Sequence, residues 1–202
     1  MKVVIIKYNA GNIRSVDNAM KRLGVAAEIT ADPDKIRSSD KVIFPGVGEA
    51  STTMKFLRET GLDKLIVSLK QPVLGICLGM QLMCKKSEEG NVDCLGIFEE
   101  EVKRFEPKPG EEFITKVPHM GWNSIKKLNS AIFDESLEGQ YVYFVHSFYV
   151  PVGKDTAATT DYILPYSSAL HKDNFYATQF HPEKSGSVGE KILKNFLALQ
   201  SV

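Results

Sequence analysis

Apolar and polar positions follow one rhythm over the first hundred residues and another over the rest. Val3-Val4-Ile5-Ile6 is an unbroken apolar run, the pattern of a strand covered on both faces. Gly11-Asn12 interrupts it, with Asn12 placed to cap a helix. Ile13, Val16, Met20 and Leu23 then recur at helical spacing, and Gly24 stands where a terminating glycine belongs. Residues 25–29 read as a second strand. Asp32-Pro33 opens a short helix with a capping carboxylate and a proline at its first position. Val42-Ile43-Phe44 is a third strand, running into Pro45-Gly46-Val47-Gly48. Helical patterns over 54–58 and 62–69 precede a strand at 73–76.

Strands alternating with helices predict a largely parallel central sheet with helices on both faces. In such sheets ligands collect at the carboxyl ends of the strands. Pro45-Gly46-Val47-Gly48 and Cys77 both fall at such ends. Beyond residue 95 the pattern favours strands: 95–104, the aromatic and β-branched stretch 141–150, and the pair 167–171 and 175–180 around a Lys172-Asp173-Asn174 turn. Residues 106–110 read as an exposed loop and 188–199 as a closing amphipathic helix. No linker is evident, so the expectation is a single α/β domain over residues 1–202 with an antiparallel extension.

Candidate chemistry centres on Gly75-Ile76-Cys77-Leu78-Gly79-Met80. A strand running into a cysteine, with glycine two residues to either side and a helical stretch behind, is the thiol counterpart of a nucleophile elbow. The glycines are expected to relieve crowding where backbone and substrate meet. The following helix would aim free N–H groups at the sulfur and favour the thiolate that attacks carbonyl carbon.

Composition narrows the picture. Hydrophobic residues make up 43% of 202, enough for a substantial core. Lys+Arg and Asp+Glu are equal at 25 each, so no basic excess points to nucleic acid or an anionic membrane surface. Near-neutral charge favours a permanent partner. Cys77, Cys84 and Cys94 are odd in number and fit neither a disulfide framework nor a zinc site, which suggests a reduced, cytoplasmic setting. The start of the chain reads as a strand, not a signal peptide, and no apolar run reaches membrane-spanning length. No phosphate-binding glycine pattern, metal set or cofactor motif is present.

A cysteine nucleophile needs a base and a group to hold it. Of His119, His146, His171 and His181, the last stands in His181-Pro182-Glu183. In extended backbone His181 and Glu183 share a side, and Pro182 biases His181 toward that geometry. His171 and Asp173 have the same spacing, but at a hairpin tip where solvated polar residues are expected. His146 reads as a hydrogen-bonded core histidine, and His119 has no acid nearby in sequence. The N–H of Leu78 and those around Val47 and Gly48 are candidate oxyanion donors.

Together, Gly75 to Gln81 and His181-Pro182-Glu183-Lys184-Ser185 resemble the class I (triad) glutamine amidotransferases, whose fold is flavodoxin-like. Tyr8-Asn9-Ala10-Gly11-Asn12-Ile13, Pro45-Gly46-Val47-Gly48, Pro118-His119-Met120-Gly121-Trp122-Asn123 and Tyr143-Phe144-Val145-His146-Ser147 resemble more narrowly the glutaminase subunits of imidazole glycerol phosphate synthase. The resemblance spans nearly the whole chain and implies a catalytic set of Cys77, His181 and Glu183. It implies glutamine held by Val47, Gly48, Leu78, Gln81, Ser147 and Phe148. It also implies a (β/α)8-barrel cyclase partner, forming a heterodimer in histidine biosynthesis, that meets Asn12, Met120, Trp122, Tyr143 and Lys184. The plain alternatives to these interface roles are Trp122 as a core residue and Lys184 as a solvated charge. Other readings are a glutaminase serving another ammonia acceptor, a non-catalytic interaction protein, and a redox-active cysteine protein with Cys84 as resolving thiol.

Overall fold

A computed structural model describes residues 1–8, 11–110 and 113–200; Asn9 and Ala10 of the first resemblance motif, and the last two residues of the loop before Phe113, lie outside these. The chain runs β1 (Val3–Ile6), α1 (Ile13–Arg22), β2 (Ala27–Thr30), α2 (Pro33–Arg37), β3 (Lys41–Gly46), α3 (Ala50–Thr60), α4 (Leu62–Ser68), β4 (Val73–Cys77) and α5 (Leu78–Met83). Then come β5 (Lys86–Ser87), β6 (Val92–Asp93), β7 (Glu101–Arg104), β8 (His119–Ser124), β9 (Tyr141–His146), β10 (Phe148–Tyr149), β11 (Thr156–Tyr162), β12 (Leu164–Lys172), β13 (Phe175–Thr178) and α6 (Gly186–Ala198).

The main sheet has seven strands in the order β11-β12-β13-β4-β3-β1-β2. β13, β4, β3, β1 and β2 are parallel, and β11 and β12 add an antiparallel edge. Smaller sheets, β10-β7-β5-β6 and β8-β9, lie beside it. The unbroken apolar runs are explained by double coverage. In β1, Val4 and Ile6 enter one core while Val3 and Ile5 enter the other, following the two-residue period of a strand. Met54 and Leu57 of α3 and Leu62 and Leu65 of α4 pack on the first face; Val16 and Met20 of α1 and Ile192 and Phe196 of α6 pack on the second.

Local chemistry sets most boundaries. Asp32 accepts from the N–H groups of Asp34 and Lys35, the cap its sequence predicts. Gly61, at φ 72°, joins α3 to α4 in a conformation that favours glycine. Two of the expected strands change most. Of 95–104 only Glu101–Arg104 is a strand, because the amides of Leu95, Gly96, Ile97 and Phe98 bond to carbonyls at the end of α5. The stretch 141–150 divides at Ser147, with β9 pairing to β8 and β10 to β7. Asn12 stands at the start of α1 but makes no side-chain cap; its amide is used elsewhere.

Candidate active site

Cys77 ends β4 with φ 56° and ψ −109°, a conformation few non-glycine residues adopt. Strain of this kind persists only where the surroundings impose it. Here they do so through packing. A Cβ on Gly79 would lie 2.1 Å from the carbonyl oxygen of Phe44, and one on Gly75 would lie 2.9 Å from Sδ of Met83. The two glycines therefore let α5 sit directly against β3 and β4. They make room for strand–helix contact, not for the substrate as the sequence pattern suggests. Register across β3 and β4 sets Gly46 opposite Cys77, so the Pro45-Gly46-Val47-Gly48 turn leaves the sheet beside the sulfur. The hydroxyl of buried Tyr8 donates to the Pro45 carbonyl and ties that turn to the end of β1.

His181 arrives from the other side, following β13. Its backbone is extended, as a residue before proline should be, and its N–H bonds to the Tyr143 carbonyl. Glu183 is already in a short 3-10 turn (Pro182–Lys184), so a bend, not strand alternation, brings the carboxylate to the ring. Nδ1 of His181 lies 2.8 Å from Oε1 of Glu183, and both side chains are fully buried. Burial pulls the His181 pKa down, but the Cys77 thiol and the Glu183 carboxylate outweigh it and raise the pKa overall. Nε2 of His181 has no hydrogen-bond partner, while the Cys77 thiol lies close enough to raise the ring's pKa. Such contacts tighten when substrate binds.

A cavity of about 330 Å³ opens over Cys77 and His181. Its wall includes Val47, Gly48, Leu78, Gln81, Ser147 and Phe148, with Glu89, Pro118, Val145 and His146, which the sequence reading did not place there. Glu89 accepts from the N–H of Ala50, and burial raises its pKa. Gln81 donates to the Phe148 carbonyl (3.0 Å) and to Oε1 of Gln179 (2.9 Å). Gln179 carries no motif signal in the sequence, and Tyr8 enters only inside a resemblance motif with no role, since neither stands in a spacing that marks catalysis. Proximity of Gln179 to His181 in sequence is the only signal for it.

The remaining histidines divide by environment. His146 Nδ1 lies 2.7 Å from the Phe148 carbonyl and Nε2 3.3 Å from the Tyr166 hydroxyl, which lies 3.2 Å from Nδ1 of His119. Burial lowers the pKa of His146 to about 3 and of His119 to about 4, so both rings are neutral with one N–H each. A carbonyl only accepts, so Nδ1 of His146 donates to it, Tyr166 donates to Nε2, and His119 donates to Tyr166. His146 is thus a bonded core histidine that also borders the cavity. His171 stacks on Tyr176 and lies one strand beyond it from Leu74, well back along β4 from Cys77. Cys84 is fully buried and bonded to the Met80 carbonyl; burial raises its thiol pKa, and that of Cys94 to about 12, so neither suits a resolving role.

Met120 (63% exposed) and Trp122 (55%) project from β8. Tyr143, half-buried, pairs with Trp122 across the ribbon, and Lys184 is exposed. Asn12 departs from the surface role expected of it. It is 5% exposed, and its Nδ2 donates to Oε1 of Glu183 at 3.3 Å, so it backs the His181–Glu183 pair. Among the described residues no cluster of His, Cys, Asp or Glu is arranged to hold a metal.

Residues 4–199 match the family Glutamine amidotransferase class-I. The chain belongs to the class-I glutamine amidotransferases. This amidotransferase is 68% identical over 199 residues to imidazole glycerol phosphate synthase subunit HisH of Bacteroides fragilis strain YCH46, covering 98% of this chain and 100% of the relative. It is 45% identical over 201 residues to the subunit of the same name from Escherichia coli K12, with the same coverage. Among solved structures, a glutamine amidotransferase superposes with a TM-score of 0.72 at 21% identity, covering 96% of each chain. PurLQS of Thermotoga maritima superposes with 0.70 at 14%, covering 97% of each. At those identities the likeness is one of fold. No helix of this amidotransferase among the described residues is long and apolar enough to cross a membrane.

Proposed function

We propose that this amidotransferase is the glutaminase subunit of an imidazole glycerol phosphate synthase, hydrolysing glutamine to glutamate and ammonia. The observation that carries the chemistry is the buried His181–Glu183 pair beside Cys77 on its strained turn, with Cys77 and His181 opening on one cavity. The names of the full-length relatives carry the pathway.

Cys77 sulfur attacks the carboxamide carbon, and the carbonyl electrons move to oxygen. Backbone N–H groups of Leu78 and of the Val47–Gly48 turn receive that oxyanion; one such donor is typically worth about 3 kcal/mol. His181 protonates the departing nitrogen while Glu183 keeps Nδ1 engaged and Nε2 aimed at the reacting atoms. Water, giving its proton to His181, then cleaves the thioester and glutamate leaves. Glutamine also carries an ammonium group, and Glu89 is the one carboxylate among the described residues bordering the cavity. Gln81 and the Ser147–Phe148 backbone would hold the remainder of the amino acid.

Ammonia released into neutral water becomes ammonium and loses its lone pair. It must reach its acceptor through a dry passage, which explains a tightly docked partner. A (β/α)8-barrel cyclase subunit, seated on Met120, Trp122, Tyr143 and Lys184 in a cytoplasmic heterodimer, would receive it and form imidazole glycerol phosphate and an aminoimidazole carboxamide ribotide. The test is glutamate release from glutamine with and without a barrel cyclase and its phosphoribulosyl substrate. We expect release that depends on both and is abolished in Cys77→Ala, while the Cys77→Ala complex still uses added ammonia. Normal glutamine turnover by Cys77→Ala would overturn the nucleophile, and turnover indifferent to the cyclase would overturn the pathway.

A further inference from the structure

We propose that Gln179 is a further catalytic residue, its side-chain amide donating to the sulfur of Cys77 and favouring the thiolate. The inference rests on the reading of Cys77 as nucleophile and adds a group to it. Gln179 is fully buried, and its Nε2 lies 3.8 Å from Sγ of Cys77, a distance suited to an N–H donor on sulfur.

The orientation of that amide is fixed from outside. The Phe148 carbonyl can only accept, so the nitrogen of Gln81 faces it. That same nitrogen donates to Gln179, so the oxygen of Gln179 must face Gln81 and its NH2 must face the sulfur. Reversing the amide would set two donors against each other inside the protein. The backbone N–H of Gln179 bonds to the Ser168 carbonyl and anchors the residue beyond the end of β13.

The other groups around the sulfur leave this role open. α5 has only six residues, so its terminus supplies a weaker field than the sequence suggests. The Val145 carbonyl, 3.9 Å away, accepts from the thiol and opposes the anion. Tyr8 has its hydroxyl committed to Pro45, and His146 is committed to Phe148 and Tyr166. Glu89 lies in the cavity wall and Glu183 behind the ring of His181, which leaves His181 as the cationic partner. Gln179 then acts twice. It favours thiolate before attack. It also favours the sulfur as leaving group when water adds to the thioester, the C–S bond breaks and the electron pair returns to sulfur.

The experiment compares Gln179→Met and Gln179→Glu with the unaltered full-length chain. Alkylation of Cys77 by iodoacetamide is followed against pH, with the label located by mass spectrometry, since this reaction reads thiolate without needing glutamine. Glutamine turnover is measured beside it, with the barrel cyclase and its phosphoribulosyl substrate present. Removing a donor to a charged group is expected to move the acid limb of alkylation up by about one pH unit in Gln179→Met and lower kcat about tenfold near neutrality, with KM little changed. In Gln179→Glu the oxygen that Gln81 needs is kept and the N–H facing sulfur is lost. Carboxylate and thiolate side by side disfavour each other, so the limb moves further. Gln179→Glu therefore reports even where Gln179→Met melts early. Unaltered alkylation limbs overturn the proposal, and so does a defect confined to KM, which would assign Gln179 to the glutamine pocket through Gln81. Absence of labelling at Cys77 in the unaltered chain, or of turnover by its complex with the cyclase, would instead overturn the nucleophile reading itself.

Discussion

Asn12 and His181 converge on one oxygen: Oε1 of Glu183 accepts from Nδ2 of Asn12 at 3.3 Å and meets Nδ1 of His181 at 2.8 Å. The start of α1 is thereby tied to the His181–Glu183 pair, and at its end Nη2 of Arg22 donates to the Glu183 backbone carbonyl. Asn12 fixes which oxygen faces the ring and by that route the ring's aim at sulfur. Asn12→Ala should lower kcat for glutamine several-fold with KM nearly constant. Asn12→Asp should cost more, because it buries a second carboxylate against Glu183. Steady-state kinetics of the two variants with the partner present decide the point; equal and wild-type values would reduce Asn12 to a filler.

The elbow glycines should differ in tolerance. A methyl at residue 79 meets the Phe44 carbonyl, which is part of the sheet backbone and cannot yield. A methyl at residue 75 meets first the sulfur of Met83, the end of a flexible side chain, and only then the Gly79 backbone. Gly79→Ala is expected to destabilise the fold by roughly 3 kcal/mol or more, and Gly75→Ala by about half that. Urea denaturation gives both values. A Gly79→Ala protein as stable as the parent would contradict the packing account.

What the sequence disclosed follows from how local each cause is. The run Val3–Ile6, the Asp32-Pro33 cap and the turn at Asp173 are written in neighbouring residues, and the fold repeats them. The strand-end position of Cys77 was legible for the same reason. The choice of His181 over His171 was legible only in part, from the hairpin tip beside His171; the rest depends on which strand end lies beside β4, a matter of topology. His171 should accordingly be replaceable by alanine with glutamine turnover retained, whereas His181→Ala should lose it. Glu89, Gln179 and Tyr8 were hidden because their roles are set by partners far along the chain: Ala50, Cys77 and Pro45. Asn12 shows the reverse. A residue ideal for a local cap gives its amide to Glu183, 171 positions away.

The histidines predict opposing pH effects on stability. His119 and His146 have pKa values lowered by burial to about 4 and about 3, against about 6.5 in an unfolded chain. Below pH 6.5 the unfolded state takes up protons that the fold refuses. Their contribution is whole above that pH and is lost as pH falls toward 4 and then 3. His181 works in the other sense. Its pKa is raised, so its contribution is whole below about pH 6.5 and is lost as pH rises through its folded value. Urea midpoints measured from pH 4.5 to 9 should therefore peak between the two limbs. His119→Gln should flatten the acid limb, and Glu183→Gln the alkaline one. An acid limb unchanged in His119→Gln would mean that other groups carry it.

Partner docking should depend on the ribbon formed by β8 and β9. The indole of Trp122 is 55% exposed and stands edge-on to Tyr143, with ring centres 6.1 Å apart. Tyr143 in turn accepts through its carbonyl from the N–H of His181. A large aromatic held ready in this way, beside exposed Met120, matches the anchors that dominate protein interfaces. Trp122→Ala should lower the melting temperature only modestly, since more than half of Trp122 is already exposed in the free chain. It should weaken binding of the barrel cyclase by about 2 kcal/mol, a loss of roughly thirtyfold in affinity. Titration calorimetry measures both affinity and stoichiometry. Unchanged affinity would move the interface elsewhere on the surface, whereas weakened affinity with restored glutamine turnover at saturating cyclase would show that Trp122 anchors the partner without joining the chemistry.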